Sequence, residues 1–219
     1  MNANLAGAGG LIADVTPRRF SGRIYAMPLR SRSLNPRGGG IVTPDESSRD
    51  SGAMYYLLIL AVGIERVVEL VVSRRNARWS FAQGAKEFGR AHYPVMVVLH
   101  TGLLVGCIVE PWALHRPFIA WLGWPMLAVV ALSQGLRWWC IATLGRRWNT
   151  RVIVLPQAPL VRQGPYRWLH HPNYVAVVAE GLALPLVHTA WLTAAIFTLA
   201  NLALLRVRLR VENSALGYT

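Results

Sequence analysis

The chain has 219 residues, 53% of them hydrophobic, and a formal net charge of +13. Such a charge on a globular protein would suggest nucleic-acid binding, but here the arginines fall in short stretches between long apolar runs, and Lys86 is the only lysine. This pattern excludes a lysine-rich nucleic-acid arm and predicts an integral membrane protein without a nucleic-acid partner. Cys107 and Cys140 both lie in apolar runs, so we expect small buried side chains and neither a disulfide nor a metal site.

Residues 1–53 differ in composition from the rest of the chain. They are rich in Gly, Pro, Ser and Arg and have no apolar periodicity. Such a segment cannot bury enough surface to offset the entropy lost on ordering. It also lacks the apolar core of a signal peptide. We therefore predict a disordered or dispensable extension, residues 1–53, followed by a membrane domain, residues 54–219.

Long apolar stretches after Met54 predict membrane-spanning helices. The last of these stretches is interrupted by Pro185 and by His188-Thr189, so it predicts two short helices that form a hairpin, each approaching the roughly 30 Å hydrocarbon core. The predicted stretches are 54–72, 93–112, 118–144 and 174–205. Together they predict an all-α integral membrane protein with about five transmembrane helices.

Basic residues alternate with these stretches in a way that predicts orientation. Segments 74–90 and 146–167 hold five Arg or Lys each and the tail 206–210 holds three, whereas the link 110–117 holds one. The positive-inside rule places the three basic segments in the cytoplasm, so we predict a multi-pass cell-membrane protein with a cytoplasmic C-terminus. Within the second segment, residues 152–156 are short and apolar and fit either a strand or an interfacial piece.

Titratable residues inside the predicted spans lie near this cytoplasmic end. Glu65, Arg66 and Glu69 are on the first span, and Arg137 is on the third. Ionisable groups in membrane segments usually face protein or a water-filled cavity. Glu69 fits either an ion pair with Arg66 at the interface or a catalytic role. His100, alone in the middle of the second span, is more typical of a hydrogen-bonded packing residue.

The stretch 164–174 is a polar and aromatic interruption between apolar segments. Pro172 predicts the first turn of a helix, with His171 just outside it and free helix amides available to an anion. In the tail, Arg208 and Glu212 share one helix face, while Arg206 and Arg210 share nearly the opposite one. We therefore expect Arg208 and Glu212 to face the protein.

Three runs of residues, 160–167, 171–174 and 208–213, resemble the isoprenylcysteine carboxyl methyltransferase family. The resemblance covers about residues 145–216 and implies a multi-spanning membrane enzyme that uses S-adenosylmethionine. Residues 66–76 with His92-Tyr93 resemble a bacterial subgroup associated with O-methylation of polyketide lipids. The implied substrate is a lipophilic small molecule or lipid, accepting methyl on a carboxyl or on a phenol or enol hydroxyl.

The resemblance implies that His171, Tyr174 and Glu212 line the cofactor pocket, and the positions of the polar residues place this pocket on the cytoplasmic side. The predicted cofactor-binding residues are Tyr166, His171, Pro172, Tyr174, Arg208 and Glu212, and the predicted catalytic residues are His171, Glu69 and Arg137. A carboxylate acceptor is already a nucleophile, whereas a phenol or enol would need a base such as His171 or Glu69. Asn213 stands where many members have a second Glu, which leaves one carboxylate fewer for the cofactor.

Two other functions fit the sequence. A His-Pro-x-Tyr element also occurs in membrane sterol reductases of related fold, so an NADPH-dependent membrane reductase is the alternative enzyme. A non-catalytic membrane scaffold would use the charged residues only to pair helices.

We predict that a chain starting at Met54 inserts into membranes and binds cofactor as the full chain does, because residues 1–53 lack the apolar surface to fold. Their seven arginines would also lie on the wrong side by the positive-inside rule. Expression and cofactor titration of the shortened chain measure this. Loss of either property would contradict it.

Overall fold

The computed structural model describes residues 44–156 and 158–217, which form a mostly helical protein. The five α-helices are α1 (Pro44–Ala82), α2 (His92–Ala113), α3 (Ala120–Leu144), α4 (Pro172–Leu186) and α5 (Trp191–Leu216). Two short strands, β1 (Lys86–Phe88) and β2 (Val152–Val154), complete the secondary structure of these two ranges together with two 3₁₀ turns, Gly145–Arg147 and Gly164–Arg167.

Among the described residues, three segments are long and apolar enough to cross a membrane: α2, residues 120–147 (α3 with the turn after it), and α5. Tryptophans are exposed at both ends of the helix bundle, as in the aromatic belts of membrane proteins. Trp112, Trp121, Trp124 and Trp191 lie at one end, and Trp138, Trp139 and Trp168 at the other. The membrane class is thus confirmed, while the full count of five spans stays a prediction.

Helix α1 is longer than the predicted span at both ends. It includes residues 44–53, and it continues through the basic residues 74–78 that were predicted to form a loop. No Gly or Pro interrupts residues 73–82. Tertiary contacts hold this extension, since Asn76 Nδ2 donates to the carbonyl oxygens of Gly145 (3.1 Å) and Trp148 (2.8 Å). Residues 1–43 lie outside the described part of the chain, and the dispensability of residues 1–53 stays a prediction.

The all-α prediction is incomplete, because β1 and β2 form an antiparallel pair. Lys86 lies opposite Val154 and Phe88 opposite Val152. This pairing settles the interpretation of residues 152–156 in favour of a strand. The sequence of β1 lies within a basic segment and gives no strand signal of its own, so its conformation depends on a partner from another loop.

The predicted hairpin contains one short helix and one long one. Helix α4 has 15 residues and α5 has 26, or about 22 Å and 39 Å at 1.5 Å per residue. Helix α5 continues through the basic tail, which has no Gly or Pro, and ends at Gly217 in the left-handed conformation (φ 75°). The second half of the hairpin is therefore not a short helix.

The basic segments meet at one end of the bundle, as expected if they lie on the same side of the membrane. Asn76 of α1 contacts the turn after α3, and Arg208 Nη2 of α5 donates to the Thr150 carbonyl (2.5 Å). At the opposite end, Glu110 accepts bonds from the Leu192 (3.1 Å) and Thr193 (2.7 Å) amides at the start of α5. That this shared end faces the cytoplasm stays a prediction.

Close helix packing in the core depends on small residues in α4. A Cβ at Gly181 would collide with the ring of Phe197 on α5. The fully buried Ala183 and Leu184 belong to a core cluster with residues of all the other helices. Both cysteines are buried and free, as predicted.

We expect Gly181→Ala to destabilise the protein by about 1–3 kcal/mol, because the new methyl group overlaps a buried aromatic ring. Gly135→Ala on α3 is the matched control, since a Cβ there meets nothing within 4 Å. Thermal unfolding in detergent compares the two variants. Equal stability for both would contradict the packing argument.

Candidate functional site

A cavity of about 510 Å³ lies at the basic end of the bundle. Its wall contains five of the six predicted cofactor-binding residues: Tyr166, His171, Tyr174, Arg208 and Glu212. The sixth, Pro172, is buried at the first position of α4 and positions its neighbours. The tertiary structure thus brings together groups from the 164–174 stretch and the tail of α5.

The start of α4 places His171 and Tyr174 side by side, as the proline predicted. His171 has non-helical dihedrals (φ −130°, ψ 61°), and its carbonyl accepts the Tyr174 amide at 3.1 Å. The two rings stack with centroids 5.4 Å apart and planes 17° apart. His171 Nε2 lies 2.9 Å from Asn213 Oδ1, so the residue that replaces the second Glu of the family pattern holds the imidazole.

The Tyr174 hydroxyl joins two charged residues of α5. It donates to a carboxylate oxygen of Glu212 and accepts a bond from Arg208 Nε at 2.8 Å. Arg208 is buried, as its predicted helix face required, whereas Arg206 and Arg210 are exposed. The charges of Arg208 and Glu212 are therefore fixed relative to α4 through one phenol group.

Tyr166 lies in the 3₁₀ turn before α4 and contacts Cys140 of α3. Burial raises the pKa of the Tyr166 phenol above its ordinary value, and the contact with Cys140 adds to the shift. The group therefore stays protonated at physiological pH and acts as a neutral hydrogen-bond donor or acceptor in the cavity wall.

A second, smaller cavity of about 150 Å³ adjoins the first and is lined mainly by apolar groups. Glu69 and Arg137 contribute to its wall, whereas His171 lines only the first cavity. The predicted catalytic residues therefore divide between the two cavities. The residues common to both walls are Trp148, Asn173, Tyr174 and Arg208.

Five charged residues form a buried ion cluster beside the second cavity: Glu65, Arg66, Glu69, Arg137 and Glu180. Arg66 Nη1 donates to Glu69 at 2.9 Å, and Arg137 Nε lies 3.5 Å from Glu69. Arg137 Nη2 donates to Glu180, which also lies 3.5 Å from Arg66. Three carboxylates against two guanidinium groups leave this cluster with a formal charge of −1.

Buried polar atoms without a hydrogen-bond partner concentrate at the cavities. Among the described residues there are nine such atoms, and six of them belong to residues that line one cavity or both. These six are Trp148 Nε1, Asn149 Oδ1, Asn173 Oδ1, Arg66 Nε, Glu69 Oε1 and Arg137 Nε, of which the last two form an ion pair with each other at 3.5 Å. Buried polar groups normally have partners, so this concentration is typical of ligand sites.

Sequence reasoning missed Glu180 and Asn173. Glu180 is a lone carboxylate within an apolar stretch. An ionisable residue in a membrane segment normally indicates a functional role, so the sequence did contain a signal for this residue. Asn173 occupies the variable position of the His-Pro-x-Tyr element, so the motif did not mark it. Its place between the cavities depends on the packing of α4 against α5.

The fold and the paired cavities define a helical membrane protein with a polar chamber beside an apolar one. Residues 126–218 match the model of the isoprenylcysteine carboxyl methyltransferase (ICMT) family. The chain is 39% identical to the uncharacterised protein YpbQ of Bacillus subtilis over 164 residues, which cover 74% of this chain and 96% of YpbQ. An uncharacterised protein of Haemophilus influenzae is 25% identical over 166 residues, 74% of this chain and 93% of that protein.

The chain therefore belongs to the isoprenylcysteine carboxyl methyltransferase family. This family is membrane-bound, and its methyltransferases generally use S-adenosylmethionine. The family match suggests a membrane methyltransferase.

We expect Glu180→Gln to destabilise the protein by about 3–5 kcal/mol, because it removes the carboxylate to which the buried Arg137 guanidinium donates and leaves Arg137 with Glu69 alone. Arg90→Gln, which breaks an ion pair at an exposed arginine, should cost no more than about 1 kcal/mol. Chemical or thermal unfolding in detergent measures both. A small effect at Glu180 would show that the cluster does not hold the helices together.

Proposed function

We propose that this protein is an integral membrane S-adenosylmethionine-dependent O-methyltransferase with a lipophilic acceptor drawn from the bilayer. The observation that carries the proposal is the common wall of the two cavities, built from Trp148, Asn173, Tyr174 and Arg208. A cofactor in the larger cavity and an acceptor in the smaller one would meet at this wall. Methyl transfer requires in-line alignment of the two reacting groups, so two adjoining chambers suit the reaction.

The residues of the larger cavity fit S-adenosylmethionine, which would supply an electrophilic methyl group on a sulfonium centre. A volume of about 510 Å³ is within the range of small-molecule sites. The Glu212 carboxylate suits ribose hydroxyls or the ammonium group, and the stacked rings of His171 and Tyr174 suit a cation. The start of α4 and the nearby arginines suit the carboxylate.

The smaller cavity fits the reacting end of a lipophilic acceptor. Its wall is largely apolar and comes from α1 to α5 and the segment between α3 and α4. Glu69 and Arg137 provide fixed charges at one place in this wall, where they orient a polar acceptor group. We propose that the apolar part of the acceptor remains in contact with the bilayer while its polar group reaches these residues.

The charged groups that line the smaller cavity are three guanidinium groups and one carboxylate, so they accommodate either class of acceptor. We propose a neutral hydroxyl acceptor, a phenol or an enol, over a carboxylate. The polyketide-lipid O-methylation associated with the resembling bacterial subgroup fits this class of acceptor.

Two rival functions lead to different ligand binding. An NADPH-dependent membrane reductase would bind NADPH in the larger cavity, and a scaffold would bind neither cofactor. Titration of the detergent-solubilised protein with S-adenosylmethionine and with NADPH therefore separates the three functions. Tight binding of NADPH alone, or of neither compound, would contradict the proposal.

We expect Glu212→Gln and His171→Ala each to weaken S-adenosylmethionine binding by about 10- to 100-fold, because a charged hydrogen-bond partner typically contributes about 1.5–3 kcal/mol. Glu212→Gln keeps the shape of the side chain and tests its charge. Isothermal calorimetry on the single variants and on the double variant measures affinity and coupling.

Arg210→Gln is the control for these variants, since it removes a charge from the exposed face of the same helix. It should bind the cofactor as the unsubstituted protein does. Wild-type affinity in both His171→Ala and Glu212→Gln would remove the site. Non-additive losses would support a single shared pocket, because His171 Nδ1 and Glu212 Oε1 lie 3.7 Å apart.

A further inference from the structure

The wall of the smaller cavity contains His100, which the sequence alone indicated to be a packing residue. His100 lies in the middle of α2 and contributes to the cavity wall together with Glu69 and Arg137. Its Nδ1 lies 2.9 Å from the carbonyl oxygen of Met96, one turn earlier in the helix. The ring also meets Phe197 edge-on, with centroids 5.3 Å apart and planes at 86°. These contacts fix the position and plane of the imidazole.

The bond to Met96 also decides which ring nitrogen carries the proton. A carbonyl oxygen only accepts hydrogen bonds, so Nδ1 must be the N–H donor. In the neutral ring Nε2 then holds the lone pair and can accept a proton. The imidazole of a residue that lines the acceptor cavity is thus held in the tautomer that a base needs, with its basic nitrogen on the side of the ring away from the backbone of α2.

His100 is also close to the common wall of the two cavities. Met96, whose carbonyl holds His100, contacts Arg208 Nη1 through its sulfur at 2.7 Å. Arg208 in turn binds the Tyr174 hydroxyl. His100 and Met96 are four residues apart, about 6 Å along the axis of α2. His100 therefore lies about one helical turn from the residue that contacts Arg208 of the common wall.

We infer that His100 is the general base that takes the proton from a hydroxyl acceptor in the smaller cavity. In this step the acceptor O–H bond breaks and its proton moves to Nε2, while the acceptor oxygen forms a bond to the methyl carbon. The carbon–sulfur bond breaks and its electron pair stays on sulfur. The positive charge of the sulfonium is thereby transferred to the imidazolium. The assignment rests on the proposed methyltransferase function.

The surroundings of His100 favour its neutral form, the form that accepts a proton. The charged residues that line the cavity with it are Arg66, Glu69, Arg137 and Arg208, which are three guanidinium groups and one carboxylate. Both arginines of the buried ion cluster are paired with carboxylates, and Arg208 is linked through Tyr174 to Glu212. Burial and positive neighbours disfavour a standing charge on the imidazole, so its lone pair is available to the acceptor proton.

The other candidate bases are less well placed for this proton. His171 lines the larger cavity and not the smaller one, and its Nε2 is engaged by Asn213. Glu69 already serves as counter-charge to both Arg66 and Arg137. Taking up a proton would remove that counter-charge from two buried guanidinium groups at once.

The test compares two acceptors that differ in acidity. A long-chain 4-alkylphenol, with a pKa of about 10, needs a base, whereas its 2,6-dinitro analogue, made acidic by the two nitro groups beside the hydroxyl, is already ionised at neutral pH. His100→Asn keeps an amide donor near the Met96 carbonyl and removes Nε2. We expect it to lower kcat for the alkylphenol by about 100-fold or more, with little change for the nitrated analogue.

Ser133→Ala is the control. Ser133 lines neither cavity and bonds to the Val129 carbonyl at 2.7 Å, the same kind of contact with the preceding turn of a helix, here α3. It should leave the rates for both acceptors nearly unchanged. Equal losses for both acceptors in His100→Asn, or no loss for either, would overturn the role as base. Methylation of neither acceptor by the wild-type protein would instead overturn the proposed function.

A second measurement does not depend on turnover or on a variant that folds. Histidine ring ¹⁵N NMR of the cofactor-free wild-type protein should show His100 neutral, protonated at Nδ1 and unprotonated at Nε2. Addition of the alkylphenol should shift the Nε2 resonance. A proton on Nε2 in the free protein, or an unchanged resonance with the acceptor bound, would overturn the inference.

Discussion

The buried ion cluster is the interaction on which the rest of this structure depends. Taking charged side chains out of water is costly, and the cost is offset only when every partner is in place. Glu69 and Arg66 come from α1, Arg137 from α3 and Glu180 from α4, so the cluster forms only when these three helices are correctly packed. The same packing creates the apolar cavity beside the cluster. The ion cluster and the candidate acceptor site therefore depend on the same arrangement of these three helices.

The start of α4 connects this apolar cavity to the larger polar one. Pro172 fixes where the helix begins, and Tyr174, two residues later, holds Arg208 and Glu212 through its hydroxyl. Because Tyr174 and Arg208 belong to the walls of both cavities, a change in the position of α5 alters both chambers together. Binding in one cavity is thereby expected to affect the geometry of the other. Such coupling suits a two-substrate reaction in which the reacting groups must be aligned.

The family membership and the site geometry address different questions. Membership suggests a membrane methyltransferase, but the similar proteins from Bacillus subtilis and Haemophilus influenzae are themselves uncharacterised. The acceptor must therefore be inferred from charge and shape. The tautomer of His100 favours an acceptor that arrives with a proton to lose.

The sequence by itself determined the membrane class, the start of α4 at Pro172 and the inward face of α5 with Arg208 and Glu212. These features depend on local rules, namely hydropathy, the fixed φ of proline and the helical period. Only the tertiary structure decided that β1 pairs with β2, that α1 continues past the basic residues 74–78, and that Glu69 and His171 line different cavities. Each of these depends on contacts between segments far apart in the chain. Local preference is weak at such places, so packing and hydrogen-bond partners from elsewhere decide the conformation.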